Sequence, residues 1–272
     1  MKKFLLSFSI ASLLASSALA HFQMLYTPES ALNKGGKIPM RIVFTHPFAD
    51  EHAMDMGLQA DGKILPIEEF YVIHKEKKTD LLNTLKPIEF TGSHNKAKAF
   101  ATDYKARKMG DHVFVLTPAP YYEAREDGYI QQFTKMMVNV AGAPTDWDAD
   151  LGLKAEIVPL TKPYSIWAGS TFTGIVKSNG KVVPYAEIEV EYLNHDINLK
   201  TNSSNKKANV EAPQDSFVTL TIKANKDGEF TFGIPKAGWW GFAALGVGPK
   251  DSYKGKELSQ DAVIWVQAKD MK

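Results

Sequence analysis

The sequence predicts an all-β protein built from two β-sandwich domains, immunoglobulin-like or prealbumin-like in type, behind a cleaved signal peptide. Apolar and polar residues alternate with a period of two along several segments, which is typical of half-buried strands. Turn residues separate these segments at short intervals, as in β-sandwiches. The clearest strand segments are residues 37–44, 112–116 and 132–140, and the turns fall at 33–36, 61–62, 109–111 and 127–128. Residues 80–85 predict a short helical turn capped by Asp80.

The first 20 residues have the three parts of a secretory signal peptide. Lys2 and Lys3 give a positive start, residues 4–14 are apolar except for three serines, and Ala18-Leu19-Ala20 is a small-x-small cleavage site. The apolar run is shorter than the roughly 20 residues that cross a bilayer. We therefore expect a mature, soluble protein that begins at His21 and resides in the periplasm.

Composition excludes several classes of function. The chain has 272 residues, and removal of the first 20 leaves 252, enough for one large domain or two ordinary ones. Removal of Lys2 and Lys3 from 32 basic residues leaves 30 against 31 acidic ones, so a nucleic-acid partner is not expected. The chain has no cysteine, so its fold depends on the core and not on disulfides.

The pattern divides the mature chain near two closely spaced prolines in residues 159–164. We predict an N-terminal sandwich at residues 21–160, which carries the candidate metal site, and a C-terminal sandwich at residues 161–272. Predicted strands of the second half are residues 170–176, 182–192, 217–224, 229–234, 238–245 and 262–266. Residues 194–216 are polar and predict a mobile loop.

The second half resembles the small prealbumin-like sandwiches of exported proteins. The resemblance lies in residues 174–184 (GIVKSNGKVVP) and 225–235 (NKDGEFTFGIP). Both motifs combine a tight turn with an alternating strand, and they imply a fold rather than a function.

His21 is a candidate metal ligand because cleavage would make it the first residue. A free α-amine and the Nδ1 atom of the same imidazole can chelate one metal ion, and both lose their protons near neutral pH. Nitrogen ligands of this kind suit nickel or copper. The alternative is that cleavage leaves a histidine at this position by chance.

A second group of candidate ligands follows the strand that ends before His46. The loop after it contains His52, Met54 and Met56 together with the carboxylates Asp50, Glu51 and Asp55. Imidazole is the commonest transition-metal ligand, and thioether sulfur favours softer ions. The alternative is a solvated acidic loop with buried methionines and an exposed His52.

We expect the other histidines and the aromatic residues to be solvated or structural, not metal ligands. His74 is expected to be solvated and His112 structural, and the aromatic groups at 118–122 and 239–240 are expected to fill cores or interfaces. The sequence contains no cysteine nucleophile, no G-x-S-x-G elbow, no phosphate-binding glycine loop and no H-E-x-x-H motif. We therefore predict that the protein is not an enzyme.

Most of the mature chain resembles the exported NikM-like nickel-uptake family. The similar segments are residues 21–24 (HFQM), 44–48 (FTHPF), 54–56, 79–87, 118–122, 133–139 and 156–169. The resemblance implies an accessory protein that binds nickel, or cobalt, for a membrane metal transporter. Residue by residue, it implies ligand roles for His21 and His46 and matches Met54 and Met56 to the family's methionine pair.

Together these observations predict a periplasmic binding protein for a divalent transition metal, nickel first. His21, His46, Met54, Met56 and His52 are the candidate ligands. Three alternatives stay open at this point. The first is a copper-binding protein or chaperone, because copper binds such ligands more tightly than nickel. The others are an oxidase with copper at the same atoms, and an adhesion or scaffold module that holds no metal.

Overall fold

A computed structural model describes residues 21–50 and 52–272. The predicted signal peptide, residues 1–20, lies outside the described residues, and so does Glu51 of the predicted ligand loop. In the described part of the chain, no helix is long and apolar enough to cross a membrane.

Short strands account for most of the regular structure. They are β1 (Phe22–Tyr26), β2 (Ala31–Leu32), β3 (Gly36–Thr45), β4 (Ala53–Met54), β5 (Glu69–His74), β6 (Lys77–Asp80), β7 (Lys86–Thr91), β8 (Lys96–Ala106), β9 (Gly110–Thr117), β10 (Tyr121–Glu123), β11 (Gly128–Val140), β12 (Glu156–Pro159), β13 (Ile166–Trp167), β14 (Thr171–Ser178), β15 (Lys181–Val182), β16 (Glu187–Tyr192), β17 (Ile197–Asn198), β18 (Ser203–Ser204), β19 (Leu220–Lys223), β20 (Glu229–Gly233), β21 (Gly238–Ala244), β22 (Asp251–Tyr253) and β23 (Lys256–Lys269). Two 3₁₀ turns, Leu82–Thr84 and Asp215–Phe217, interrupt them.

Across residues 21–50 and 52–272, the strands form three sheets. The largest has the order β19-β16-β21-β23-β11-β9-β5-β6, with β2, β10, β13 and β22 at its margins. A second sheet has the order β1-β3-β8-β7-β18-β17, with β4 beside β3. The smallest is β12-β14-β15 with β20 beside β14.

The large sheet is the middle layer of the protein, because both of its faces are buried. Alternate side chains of one strand point to opposite faces. On β23, Trp265 belongs to the core shared with the β1–β3 sheet, whereas Ile264 belongs to the core shared with the smallest sheet. On β11, Met136 and Met137 divide between the two cores in the same way. The all-β sandwich fold predicted from the sequence is therefore confirmed.

The parallel pairing of β11 with β23 joins the two predicted halves of the chain. Tyr129 to Met136 align with Leu258 to Trp265 in register. Two further contacts link β1 to this region: the Phe22 ring packs against Trp265 at 5.9 Å between centroids, and the Trp265 indole N–H donates to the Gln23 carbonyl. One sheet therefore crosses the predicted boundary between residues 160 and 161, and the division into two folding units stays a prediction.

Most predicted strands are confirmed, and one local prediction is wrong in part. The helical turn predicted at 80–85 is a single 3₁₀ turn, and the Asp80 carboxylate accepts the Leu82 N–H at its start. The segment 194–216 is not a free loop over its first part. Ser203 pairs with Thr91, and the Arg41 guanidinium donates to the Asn202 side chain and the Leu199 carbonyl. Polar groups of this segment therefore form hydrogen bonds with the first half of the chain.

A buried ion pair connects the middle sheet to the smallest one. The Lys135 ammonium on β11 lies 2.6 Å from the Glu156 carboxylate on β12, and both side chains are almost fully buried. Burial lowers the pKa of Lys135, and the Glu156 charge opposes this shift. Glu156 also accepts the backbone N–H groups of Leu151 and Leu153, so the pair holds the connection between β11 and β12 in place.

Replacement of Glu156 by Gln should destabilise the protein strongly. It leaves the Lys135 charge buried without its partner, which costs about 3–5 kcal/mol. Glu89→Gln is the matched control, because it breaks an exposed pair with Lys96 at the same 2.6 Å distance and should cost less than about 1 kcal/mol. Denaturant unfolding measures both changes, and equal losses would contradict a structural role for the buried pair.

A buried carboxyl group also fixes the loop that follows β3. Glu191 on β16 accepts the backbone N–H of Phe48 and the hydroxyl of Thr219, and Asn194 donates to the Pro47 carbonyl. Burial raises the pKa of Glu191 from 4.5 to about 8, although these two hydrogen bonds act in the opposite direction. The loop is therefore held by a carboxyl group that retains its proton at neutral pH.

The contribution of Glu191 to the free energy of unfolding should fall as the pH rises from about 5 to about 8. In this window the folded state keeps a proton on Glu191 that the unfolded state has released, and the loss is at most roughly 1.4 kcal/mol per pH unit. Glu189, whose pKa burial raises to about 7, adds to the same trend. Urea midpoints across this range should decline less in Glu191→Gln than in wild type, and parallel profiles would contradict the assignment.

Candidate metal centre at the start of the first strand

Two predicted ligands, His21 and His46, come together at one end of the β1–β3 pair. His21 directly precedes β1 and His46 directly follows β3, and the last antiparallel pair between these strands is Phe22 with Thr45. His21 and His46, the residues just beyond this pair, therefore lie next to each other. Their imidazole rings lie 4.7 Å apart between centroids in an edge-to-face arrangement.

Aromatic side chains form one wall of this histidine pair. The His21 ring lies 5.6 Å from the Phe44 ring and 6.1 Å from the Tyr121 ring, and Phe44 and Tyr121 contact each other edge to face at 5.0 Å. His46 is buried, with 6% of its surface exposed, whereas His21 is partly exposed. The pair is thus open to solvent on the side of His21.

Two polar residues that sequence reasoning missed position His21. The Glu123 carboxylate on β10 faces the His21 Nε2 atom at 3.3 Å. The Gln132 amide on β11 donates to the His21 carbonyl at 2.6 Å and accepts the Gln23 N–H at 2.6 Å. Both lie more than 100 residues from His21 in the chain, and neither belongs to a recognisable motif. Only the folded structure reveals them, because it brings β10 and β11 next to His21.

His21 is neutral in this environment. Burial lowers its pKa to about 4, and the positive charge of Arg125 contributes in the same direction. The nearby Glu123 carboxylate would favour a charged imidazole, but desolvation of a largely buried ring outweighs it. A neutral imidazole is the form that binds metal ions.

Both predicted methionines lie next to Phe44, whose ring contacts His21, and they are buried to different extents. Met54 pairs with Phe44 in the β3–β4 register and is half-buried. Met56 is buried, and its sulfur accepts a hydrogen bond from the Gln23 side-chain amide at 2.9 Å. A void of about 10 Å³ lies next to Met56, lined also by Gln23, Phe44 and Tyr121, and it has room for about one water molecule. The Met56 sulfur therefore stays a candidate ligand, next to residues that contact His21.

His52 lies on the outer side of the site. The β3–β4 register pairs Thr45 with Ala53, and its continuation by one residue places His52 opposite His46. The residue is exposed, and its backbone carbonyl accepts the Thr45 hydroxyl. Within residues 21–50 and 52–272, no three His, Asp or Glu side chains are arranged as a ready-made metal cluster. A metal ion would therefore need the α-amine of His21, a thioether or a rotated His52 beside the histidine pair.

Of the four other histidines, three pack against neighbouring groups and one is exposed. His74 is not solvated as predicted, since its ring stacks on His112 at 4.4 Å and its Nδ1 contacts the Asp111 carbonyl. His112 contacts the Lys108 carbonyl and the Tyr104 hydroxyl, which fits its predicted structural role. His195 is buried against the Asn205 carbonyl, and His94 is exposed in a turn.

The fold and the histidine pair together define a layered β-sandwich protein with a candidate metal centre at the start of its first strand. The chain belongs to the family described as "Domain of unknown function (DUF4198)", whose model matches residues 18–248. No curated protein matches the chain significantly.

Several solved β-rich structures are similar to the chain at low identity. The Yersinia pseudotuberculosis adhesin InvE has 10% identity over 89% of this chain and 58% of its own, with a TM-score of 0.23. Latent PorU from Porphyromonas gingivalis has 11% identity over 92% of this chain and 20% of its own, with a TM-score of 0.22. The D0-D1 domain of Intimin has 10% identity over 92% of this chain and 100% of its own, with a TM-score of 0.21. Similarities at this level carry no information about function.

Replacement of Gln132 by Leu should loosen the start of β1. It removes the donor to the His21 carbonyl and the acceptor of the Gln23 N–H, and each lost buried hydrogen bond costs about 1–3 kcal/mol. Hydrogen exchange of the Gln23 amide should accelerate far more than exchange in β16, which Gln132 does not contact. Unchanged protection of Gln23 would show that Gln132 does not anchor the strand.

Proposed function

We propose that this protein is a periplasmic binding protein for a divalent transition metal, nickel first and cobalt second, that supplies the metal to a membrane transporter. The observation that carries the proposal is the 4.7 Å approach of the His21 and His46 rings at the predicted N-terminus of the mature chain. The resemblance of residues 21–24 and 44–48 to the NikM-like nickel-uptake family supports the choice of metal.

The proposed site combines nitrogen ligands from two chain segments. His21 supplies its α-amine and imidazole after cleavage, and His46 supplies a second imidazole. Nitrogen ligands of this type favour nickel and copper over harder ions. The neutral state of His21 means that binding releases few protons from this ring, so the α-amine is the main proton competitor.

The surroundings suit a site that holds its metal and then releases it. Phe44 and Tyr121 shield one side, which lowers the local dielectric and strengthens metal–ligand attraction. Met56 lies at the buried floor, and the exposed His52 lies opposite His46 on the outer side. We propose that Met54, Met56 or His52 completes the coordination and that the open side near His21 faces the transporter.

Copper handling is the second candidate function, and the position of Met56 favours it. The Met56 sulfur contacts Gln23, which is two residues from His21, and a thioether together with two imidazoles would be a ligand set that suits Cu(I). Copper also binds nitrogen ligands more tightly than nickel. The choice between the two metals therefore rests on their measured affinities under realistic metal buffering.

Mature protein with an authentic His21 start should bind nickel with one-to-one stoichiometry. A chain with one extra residue before His21 loses the α-amine ligand and should bind far more weakly. His21→Ala and His46→Ala should each weaken binding by more than about 100-fold, since loss of a ligand exceeds the 10–100-fold effect of its outer-shell partners. Titration calorimetry with Ni²⁺, and then with Cu²⁺, measures these affinities.

His94→Ala is the matched control, because it removes an exposed histidine from a turn without touching the histidine pair. It should leave the affinity unchanged. Wild-type affinity in His21→Ala and His46→Ala would contradict the site, and no binding of either metal to the authentic chain would favour an adhesion or scaffold module. Peroxide production by the copper-loaded protein with a reductant would instead identify an oxidase.

A further inference from the structure

The two ring nitrogens of His21 have different surroundings. Nε2 lies 3.3 Å from a Glu123 carboxylate oxygen, a close ionic contact that is slightly longer than an ordinary N–H···O hydrogen bond. The other Glu123 oxygen accepts the Arg125 backbone N–H at 3.0 Å. Glu123 is also paired with Gly128 through the β10–β11 ladder. Glu123 is therefore held in place twice, by the hydrogen bond to its carboxylate and by the strand pairing of its backbone.

The proton on His21 follows from this arrangement. A negative carboxylate oxygen at this distance repels the lone pair of a ring nitrogen and attracts an N–H group, so it favours the hydrogen on Nε2. A neutral imidazole with its hydrogen on Nε2 has a lone pair on Nδ1. Nδ1 is also the ring nitrogen close enough to its own α-amine to close a small chelate ring, whereas Nε2 lies across the ring from that amine.

We propose that Glu123 is a positioning residue that fixes His21 in the Nε2–H tautomer and thereby directs a metal ion to Nδ1 and the α-amine. Metal-binding histidines commonly donate their second ring nitrogen to a carboxylate, which orients the ring and makes the ligating nitrogen more basic. The metal-binding part of this inference rests on the proposed function. The tautomer belongs to the metal-free protein and stands independently of it.

Residues around Glu123 support a role specific to His21. Its side chain is 10% exposed, so it is withdrawn from bulk solvent, unlike the exposed Glu126 in the same hairpin. Gln132 fixes the carbonyl of His21 from the neighbouring strand. The ring and the backbone of His21 are thus each contacted by a separate polar side chain.

The tautomer can be read directly from imidazole ¹⁵N chemical shifts in metal-free protein. We expect the His21 Nε2 atom to carry the hydrogen in wild type, both with an authentic His21 start and with one extra residue before it. Glu123→Ala should shift the population toward a mixture of tautomers. Glu123→Gln should retain most of the Nε2–H form, because its amide oxygen still accepts. Glu126→Gln removes the same charge from the same hairpin and should change nothing.

Nickel titration then tests the consequence for metal binding. Glu123→Ala should weaken binding by about 10–100-fold, Glu123→Gln should weaken it less, and Glu126→Gln should bind as wild type does. A wild-type His21 with its hydrogen on Nδ1, or an affinity that Glu123→Ala leaves unchanged, would overturn the inference. If the Nε2–H tautomer is present and depends on Glu123 but no metal binds, the proposed function fails and the positioning role of Glu123 stands.

Discussion

The pairing of β11 with β23 is the constraint on which the rest of the structure depends. Eight consecutive residues of each strand align in parallel although the strands lie more than 120 residues apart in the chain. The pairing creates a middle sheet with two buried faces, as expected of parallel strands. One face packs against the β1–β3 sheet and the other against the smallest sheet, so both cores depend on this one ladder.

The candidate metal centre lies at the margin of the same ladder. Gln132 is opposite Asp261 in the β11–β23 pairing, and its amide holds the His21 carbonyl. Trp265 of β23 packs against Phe22 and donates to Gln23. The position of His21 is therefore set by the middle sheet, while His46 is positioned by β3 and by the loop tied to Glu191. A site built on paired strands in this way is more rigid than one built on a free loop.

The sequence was informative where the physics is local. Alternation identified β3, β9 and β11, since period two reports a strand with one buried face or two. It also directed attention to His21 and His46, which the structure brings together. It could not reveal the parallel register, the shared middle layer or the contact between Glu123 and His21, because these depend on pairings between distant segments. Residues 194–205 were misjudged for a related reason: their polar side chains bond to the first half of the chain instead of to water.

The position of β23 has a consequence for the order in which the molecule assembles. A chain emerges from synthesis N-terminus first, yet its central strand is Lys256–Lys269, the last strand to appear. Phe22 and Gln23 can pair with β3 early, but the bond between Trp265 and Gln23, 242 residues apart in the chain, must wait for this last strand. Contacts of such long separation form slowly, because a large loop must close first. The packing around β1 is thus completed only when the last strand is in place, and a chain that ends before β23 would present His21 without part of its support.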